Sequence, residues 1–95
     1  MATYSGKKTV TTAGTAVQLV TTSTRCNGPL MVKALTANTG YIYVGTVSGD
    51  VASTNGYELD AGEVAPFNYV GDLQSIWIDS SVNGEGVTWI MCNVM

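Results

Sequence analysis

Leu73-Gln74-Ser75-Ile76-Trp77-Ile78-Asp79, then Ser80-Ser81-Val82-Asn83-Gly84-Glu85-Gly86, then Val87-Thr88-Trp89-Ile90-Met91-Cys92 is the stretch that decides the fold. In its first part Ile76 and Ile78 alternate with Trp77 and Asp79, the period of two that belongs to a strand. Its middle is small and polar, and Asn83-Gly84 supplies residues that tolerate a tight turn. Its last part is rich in β-branched and aromatic residues, which favour strands. Trp89 and Ile90 point to opposite faces, so both are covered only if another chain lies on one of them.

The same grammar runs outward through the chain. Residues 7–12 predict a strand that ends at Ala13-Gly14, and residues 15–20 a second, with Val17 and Leu19 on one face. A long loop over 21–29 carries Cys26-Asn27-Gly28-Pro29, and a third strand follows at 30–35. The turn Ala37-Asn38-Thr39-Gly40 leads to a strand at 41–45; residues 46–56, including Ser48-Gly49-Asp50, read as a loop. Residues 57–59 form a short strand, and Asp60-Ala61-Gly62-Glu63 its turn. Residues 64–70 follow with Pro66 near their start, which argues for an edge position or a strand start. Gly71-Asp72 turns the chain, and 73–79 and 87–92 complete the set. The reading is all-β: about eight short strands, no helix, and two packed sheets with alternating inward residues. The expected core is Val17, Leu19, Val32, Ala34, Ile42, Val44, Leu59, Val64, Phe67, Leu73, Ile76, Ile78, Val87 and Trp89.

Composition bounds the rest. The chain has 95 residues, which is one domain, divided into a loose N-terminal arm over 1–6 and a domain over 7–95. Only 12% of residues are charged, where about 25% is usual. The surface is therefore largely neutral, which costs little to desolvate and suits large protein contacts. A domain this small gains stability from partners or self-association. Net charge is −3, and Lys7, Lys8, Arg25 and Lys33 are too few to neutralise a row of phosphates, so nucleic acid is not an expected partner. No apolar run approaches the ~20 residues of a membrane helix. No apolar stretch follows Lys7-Lys8 as a secretory signal requires, so synthesis in a cytoplasm is expected unless a signal has been removed. Cys26 and Cys92 have no metal-motif spacing; two unbridged, partly buried thiols are favoured, although a bond between them is not excluded by geometry.

The residues offer little for catalysis. There is no His, hence no Ser-His or Cys-His pair and no usual zinc site. No Gly-x-Ser-x-Gly elbow and no phosphate loop before a helix is present. Most of the seven carboxylates, Asp50, Glu58, Asp60, Glu63, Asp72, Asp79 and Glu85, fall in turns, where they serve the backbone or solvent. Calcium on Asp50, Glu58 and Asp60 matches no known loop. No catalytic residue, metal or cofactor is therefore expected. Aromatics are the better clue. Tyr41 and Tyr43 share one face of their strand, and Tyr57, Tyr69 and Trp77 are further candidates for positions outside the core. Three readings stay open: a protein interface, a sugar-stacking platform beside residues such as Asp79, or plain half-buried strand residues.

Several of these elements together resemble a known family. They are Gly14-x-Ala16-Val17-x-Leu19, Val32-Lys33-Ala34-Leu35 and Asn38-Thr39-Gly40-Tyr41-Ile42-Tyr43-Val44-Gly45 in the first half. In the second half they are Asn55-Gly56-Tyr57-x-Leu59-x-x-Gly62-Glu63, Leu73-x-x-Ile76-Trp77-Ile78 and Gly84-x-Gly86-Val87. From Gly14 to Ile90 the pattern resembles the capsid decoration (cement) proteins of tailed phages. The resemblance implies a jelly-roll-like β-sandwich that forms homotrimers. It implies a place on the outer surface of the expanded head, where the protein bridges neighbouring major capsid subunits and stabilises the shell. On that reading Ala2, Thr3, Tyr4, Lys7 and Lys8 form a capsid-contacting arm, and Tyr41, Tyr43 and Trp77 a self-association face. The alternative is a carbohydrate-binding or adhesive module of a phage tail or spike.

Overall fold

The computed structural model describes residues 2–46, 51–52, 54–68 and 70–93. Among these, ten strands follow in chain order: β1 Ala2–Val10, β2 Val17–Gln18, β3 Arg25–Cys26, β4 Leu30–Ala34, β5 Ile42–Gly45, β6 Tyr57–Leu59, β7 Val64–Phe67, β8 Gly71–Asp72, β9 Trp77–Ser80 and β10 Glu85–Asn93. A single 3-10 turn, Leu73–Ser75, lies between β8 and β9. One sheet has the order β1-β10-β4-β7, a second the order β2-β9-β5-β6, and β3 and β8 form a two-stranded ladder. Every pairing is antiparallel.

The pairings are nested. β5 pairs with β6, β4 with β7, β3 with β8, β2 with β9 and β1 with β10. The chain is thus one long antiparallel hairpin with its tip between β5 and β6. The hairpin is folded over so that β10 also pairs with β4 and β9 with β5. Those two lateral contacts gather the ribbon into sheets.

Side chains alternate along the strands and meet between the sheets. Val87, Trp89 and Met91 of β10, Leu30, Val32 and Ala34 of β4, Val10 of β1 and Ala65 of β7 are buried. They join Ile42, Val44, Leu59 and Ile78 of the other sheet in one hydrophobic cluster, with Cys26, Leu19, Leu73 and Ile76 closing it. Eleven of the fourteen expected core residues are buried; Val17 and Phe67 pack against the cluster, and Val64 is exposed. Val64 lies on edge strand β7, whose outer face has no covering layer, and there strand propensity and burial part company. The edge position inferred from Pro66 is observed.

Three expectations are corrected. The arm over 1–6 does not stand apart: the backbone of Ala2–Gly6 continues β1 and pairs with residues 89–93 of β10. Strand pairing needs backbone groups, not apolar side chains, so a polar composition did not reveal it. Residues 73–79 are not one strand, because Asp72 accepts from the Gln74 N–H at 2.9 Å and its carbonyl accepts from the Ser75 hydroxyl at 2.7 Å, winding the first turn. The loop over 21–29 contains β3, too short to leave a periodic signal. The bend at Gly84 is as expected: its φ is +81°, and its N–H donates to the Val10 carbonyl at 2.8 Å.

Two substitutions separate packing from backbone conformation. Ile78→Ala, at a fully buried site, is expected to lose about 2–5 kcal/mol. Gly84→Ala, where a Cβ would meet nothing within 4 Å, is expected to lose about 1–2 kcal/mol from the left-handed backbone alone. Urea unfolding at neutral pH measures both.

Candidate functional site

The two sheets treat their outer faces differently. On the β2-β9-β5-β6 sheet, Tyr43 and Asp79 are cross-strand partners. Both point outward, yet Tyr43 is only 6% exposed and Asp79 is buried. Residues shortly before β6 cover Tyr43: a Cβ on Gly56 would press against it, and the Ala52 N–H donates to the Asn55 side chain at 2.8 Å. Asp79 accepts from the backbone N–H of Gly14 at 3.0 Å and of Ser80 at 2.8 Å, tying the turn after β1 to β9. It is a structural carboxylate, not a partner for a sugar hydroxyl.

Tyr41, Tyr43 and Trp77 therefore do not form one exposed face. Tyr41 is exposed, Trp77 is half-buried beside Gln18 and Gly45, and Tyr43 is covered. Tyr57 is exposed beside Val44, Pro66 and Phe67, at a cleft between edge strands β6 and β7. Tyr69 and Asp50 lie outside the described residues, so the expectations resting on them find no counterpart here.

The outer face of the β1-β10-β4-β7 sheet is uncovered. Outward residues alternate with the core set: Thr88 and Ile90 on β10, Met31 and Lys33 on β4, Val64 and Pro66 on β7. Ile90 stands opposite Met31, and Met31 opposite Pro66, so these three form one row across three strands. Thr88, Lys33 and Val64 form the adjacent row. Ile90 is 49%, Met31 44% and Val64 43% exposed. A shallow groove of about 390 Å³ runs between them. Singly exposed apolar residues are ordinary, but a contiguous group marks an interaction surface. Sequence reasoning did not select this face, although the opposed directions of Trp89 and Ile90 were its signal.

A second feature lies at the free edge of β1. Gly6 is the cross-strand partner of Trp89. A Cβ at position 6 would come within 2.9 Å of the indole ring and 3.2 Å of its Nε1, so glycine lets the ring lie across β1. Trp89 is 8% exposed, and its buried Nε1–H has no acceptor. Such a donor costs about 1–3 kcal/mol when left unsatisfied. The ring lines a groove of about 530 Å³ between β1 and the 19–24 segment, with Lys7, Lys8 and the threonines of that segment on its walls. Of the expected arm residues, Lys7 and Lys8 thus flank a concavity, while Ala2, Thr3 and Tyr4 are placed by backbone pairing with 91–93.

Two carboxylates serve as clamps. Asp72 accepts from the Ser23 hydroxyl and from the backbone N–H groups of Gln74 and Thr24, and these bonds hold its pKa below the ordinary value. Glu85 is held low mainly by the N–H groups of Thr39 and Gly40, against a burial effect that raises it, and is helped by the Thr39 hydroxyl. Each joins a turn to a strand distant in sequence. Among the described residues no group of three His, Cys, Asp or Glu side chains is placed to hold a metal ion, and no disulfide joins Cys26 to Cys92. No helix among the described residues is long and apolar enough to cross a membrane. No protein-family model, curated protein or solved structure matches the chain.

The clamps set an acid response. Their carboxyls ionise more readily when folded than when unfolded, so their stabilisation is complete above the ordinary carboxylate pKa of about 4. It is lost as pH falls from there through the lowered folded values. The thermal midpoint is expected to drop between about pH 5 and pH 3, and Glu85→Gln is expected to lower it at pH 7 while making that drop shallower.

Proposed function

We propose that this chain is a structural decoration protein of a tailed-phage head. It acts by binding, without catalysis or cofactor, on the outside of the expanded shell, where it bridges neighbouring major capsid subunits. The observation that carries the proposal is the uncovered row of Ile90, Met31 and Pro66 on a sheet face bordered by few charges. A patch of this kind on a small domain calls for a protein partner. We assign it to contact between copies of the chain in a homotrimer, in place of the Tyr41, Tyr43 and Trp77 face expected from the sequence.

The strand order supports a jelly-roll reading of the fold. A jelly roll is a long antiparallel hairpin rolled into two sheets, and nested pairs from β1–β10 down to β5–β6 are what that rolling requires. The sequence resemblance to cement proteins points the same way. The carbohydrate-module alternative relied on Tyr43 and Asp79 as exposed partners of Tyr41 and Trp77; both are buried, and no observation favours it.

Function follows from mass action. A protein that binds the assembled shell and not its free subunits stabilises the shell by its binding free energy, and a trimer multiplies the effect through linked contacts. The test combines light scattering with co-sedimentation on expanded, DNA-free heads. Three times the 9.9 kDa chain mass and pelleting with heads are expected, with Ile90→Lys shifting the mass toward the monomer. A monomeric wild-type chain that stays in the supernatant overturns the proposal.

A further inference from the structure

We propose that the groove between β1 and the 19–24 segment is a binding site for an extended acidic peptide segment of the partner. The inference deepens the decoration reading by naming the chemistry of the capsid segment, and it rests on that reading for the partner's identity. Two independent observations carry it. The first is the buried Nε1–H of Trp89, which has no acceptor and belongs to a ring that lines the groove. An indole N–H only donates, so the missing group is an acceptor oxygen.

The second is charge. Lys7 and Lys8 border the groove from opposite faces of β1, Lys7 beside Thr88 and Lys8 beside Val87, and neither has an ion-pair partner among the described residues. Asp72, bonded to the Thr24 N–H at the end of the 19–24 wall, is occupied by Ser23, Thr24 and Gln74. The hydroxyls of Thr21 and Thr22 add donors, while that of Thr24 is spent on the Thr22 carbonyl. A ligand that fits therefore brings negative charge and several acceptor oxygens.

The shape selects an extended chain. β1 is an edge strand nine residues long, and its second side carries no strand among the described residues. An added segment can take up backbone hydrogen bonds along that edge while its side chains enter the groove. Nucleic acid offers acceptors too, but two adjacent lysines in a chain of net charge −3 make a poor phosphate track.

Titration of the intact protein with a synthetic peptide of alternating Thr and Glu, followed by nitrogen–proton correlation NMR, tests the site. The expected result is saturable binding that weakens with salt, with a downfield shift of the Trp89 indole N–H. That resonance is assigned by its loss in Trp89→Phe. The double variant Lys7→Gln, Lys8→Gln keeps the core intact and is expected to weaken binding roughly tenfold, the scale of two exposed charge contacts. Equal binding of the same peptide with Gln for Glu, tighter binding of oligothymidylate or of a neutral oligosaccharide, or an unaffected double variant each overturns the inference. Head binding separates the two readings. Heads that retain the double variant as well as wild type remove the groove and leave decoration standing; peptide binding without head binding does the reverse.

Discussion

The antiparallel contact between β1 and β10 closes the whole molecule. It joins Ala2–Val10 to Glu85–Asn93, the most distant parts of the chain in sequence, and every other pairing is nested inside it. Nesting lowers the entropic demand of long-range pairing. Once an inner pair is formed, the next one outward closes only the short segments between them, and loop-closure entropy grows slowly with length. The same contact fixes the alternation of β10. That places Val87, Trp89 and Met91 in the core and turns Ile90 outward, so the register of one pair of strands sets both the core and the exposed apolar row.

The asymmetry between the outer faces follows from where the connections run. Ala52 and Gly56 and the turn leaving β1 lie on the outside of the β2-β9-β5-β6 sheet and cover Tyr43 and Asp79. No comparable segment among the described residues crosses the other sheet, which leaves Met31, Val64 and Ile90 in contact with solvent. One face is thus sealed within the chain, and the other is available to a partner. The charge clamps at Asp72 on β8 and Glu85 on β10 lie outside the β2-β9-β5-β6 sheet, and each joins segments far apart in sequence.

Much of the frame was legible because local chemistry and global fold agree. The bends at Gly14, Gly62 and Gly84 were placed as turns, and each takes a positive φ; Gly71-Asp72, also expected to turn, forms β8, although Gly71 too has a positive φ. Tyr57–Leu59 was found with its bounds, and of the two positions Pro66 argued for, an edge or a strand start, the edge is observed. What escaped has common physical causes. Residues 2–6 carry no apolar pattern, yet their backbone is held by β10. Tyr43 alternates like a surface residue but lies beneath a loop whose path no periodicity encodes. Asp79 looks like a solvent-facing acid and is spent on the N–H of Gly14. The apolar face was half legible: Ile90 was seen to conflict with Trp89, but Met31 and Val64 become its neighbours only through strand register.

An account in which the chain stabilises a shell by binding to it is tested most directly on filled heads that lack it. Purified protein is added in increasing amounts, and the temperature at which the heads release their DNA is followed with a dye. The account predicts a release temperature that rises with protein concentration and then levels off as the sites fill. A release temperature that stays constant at saturating protein would contradict it.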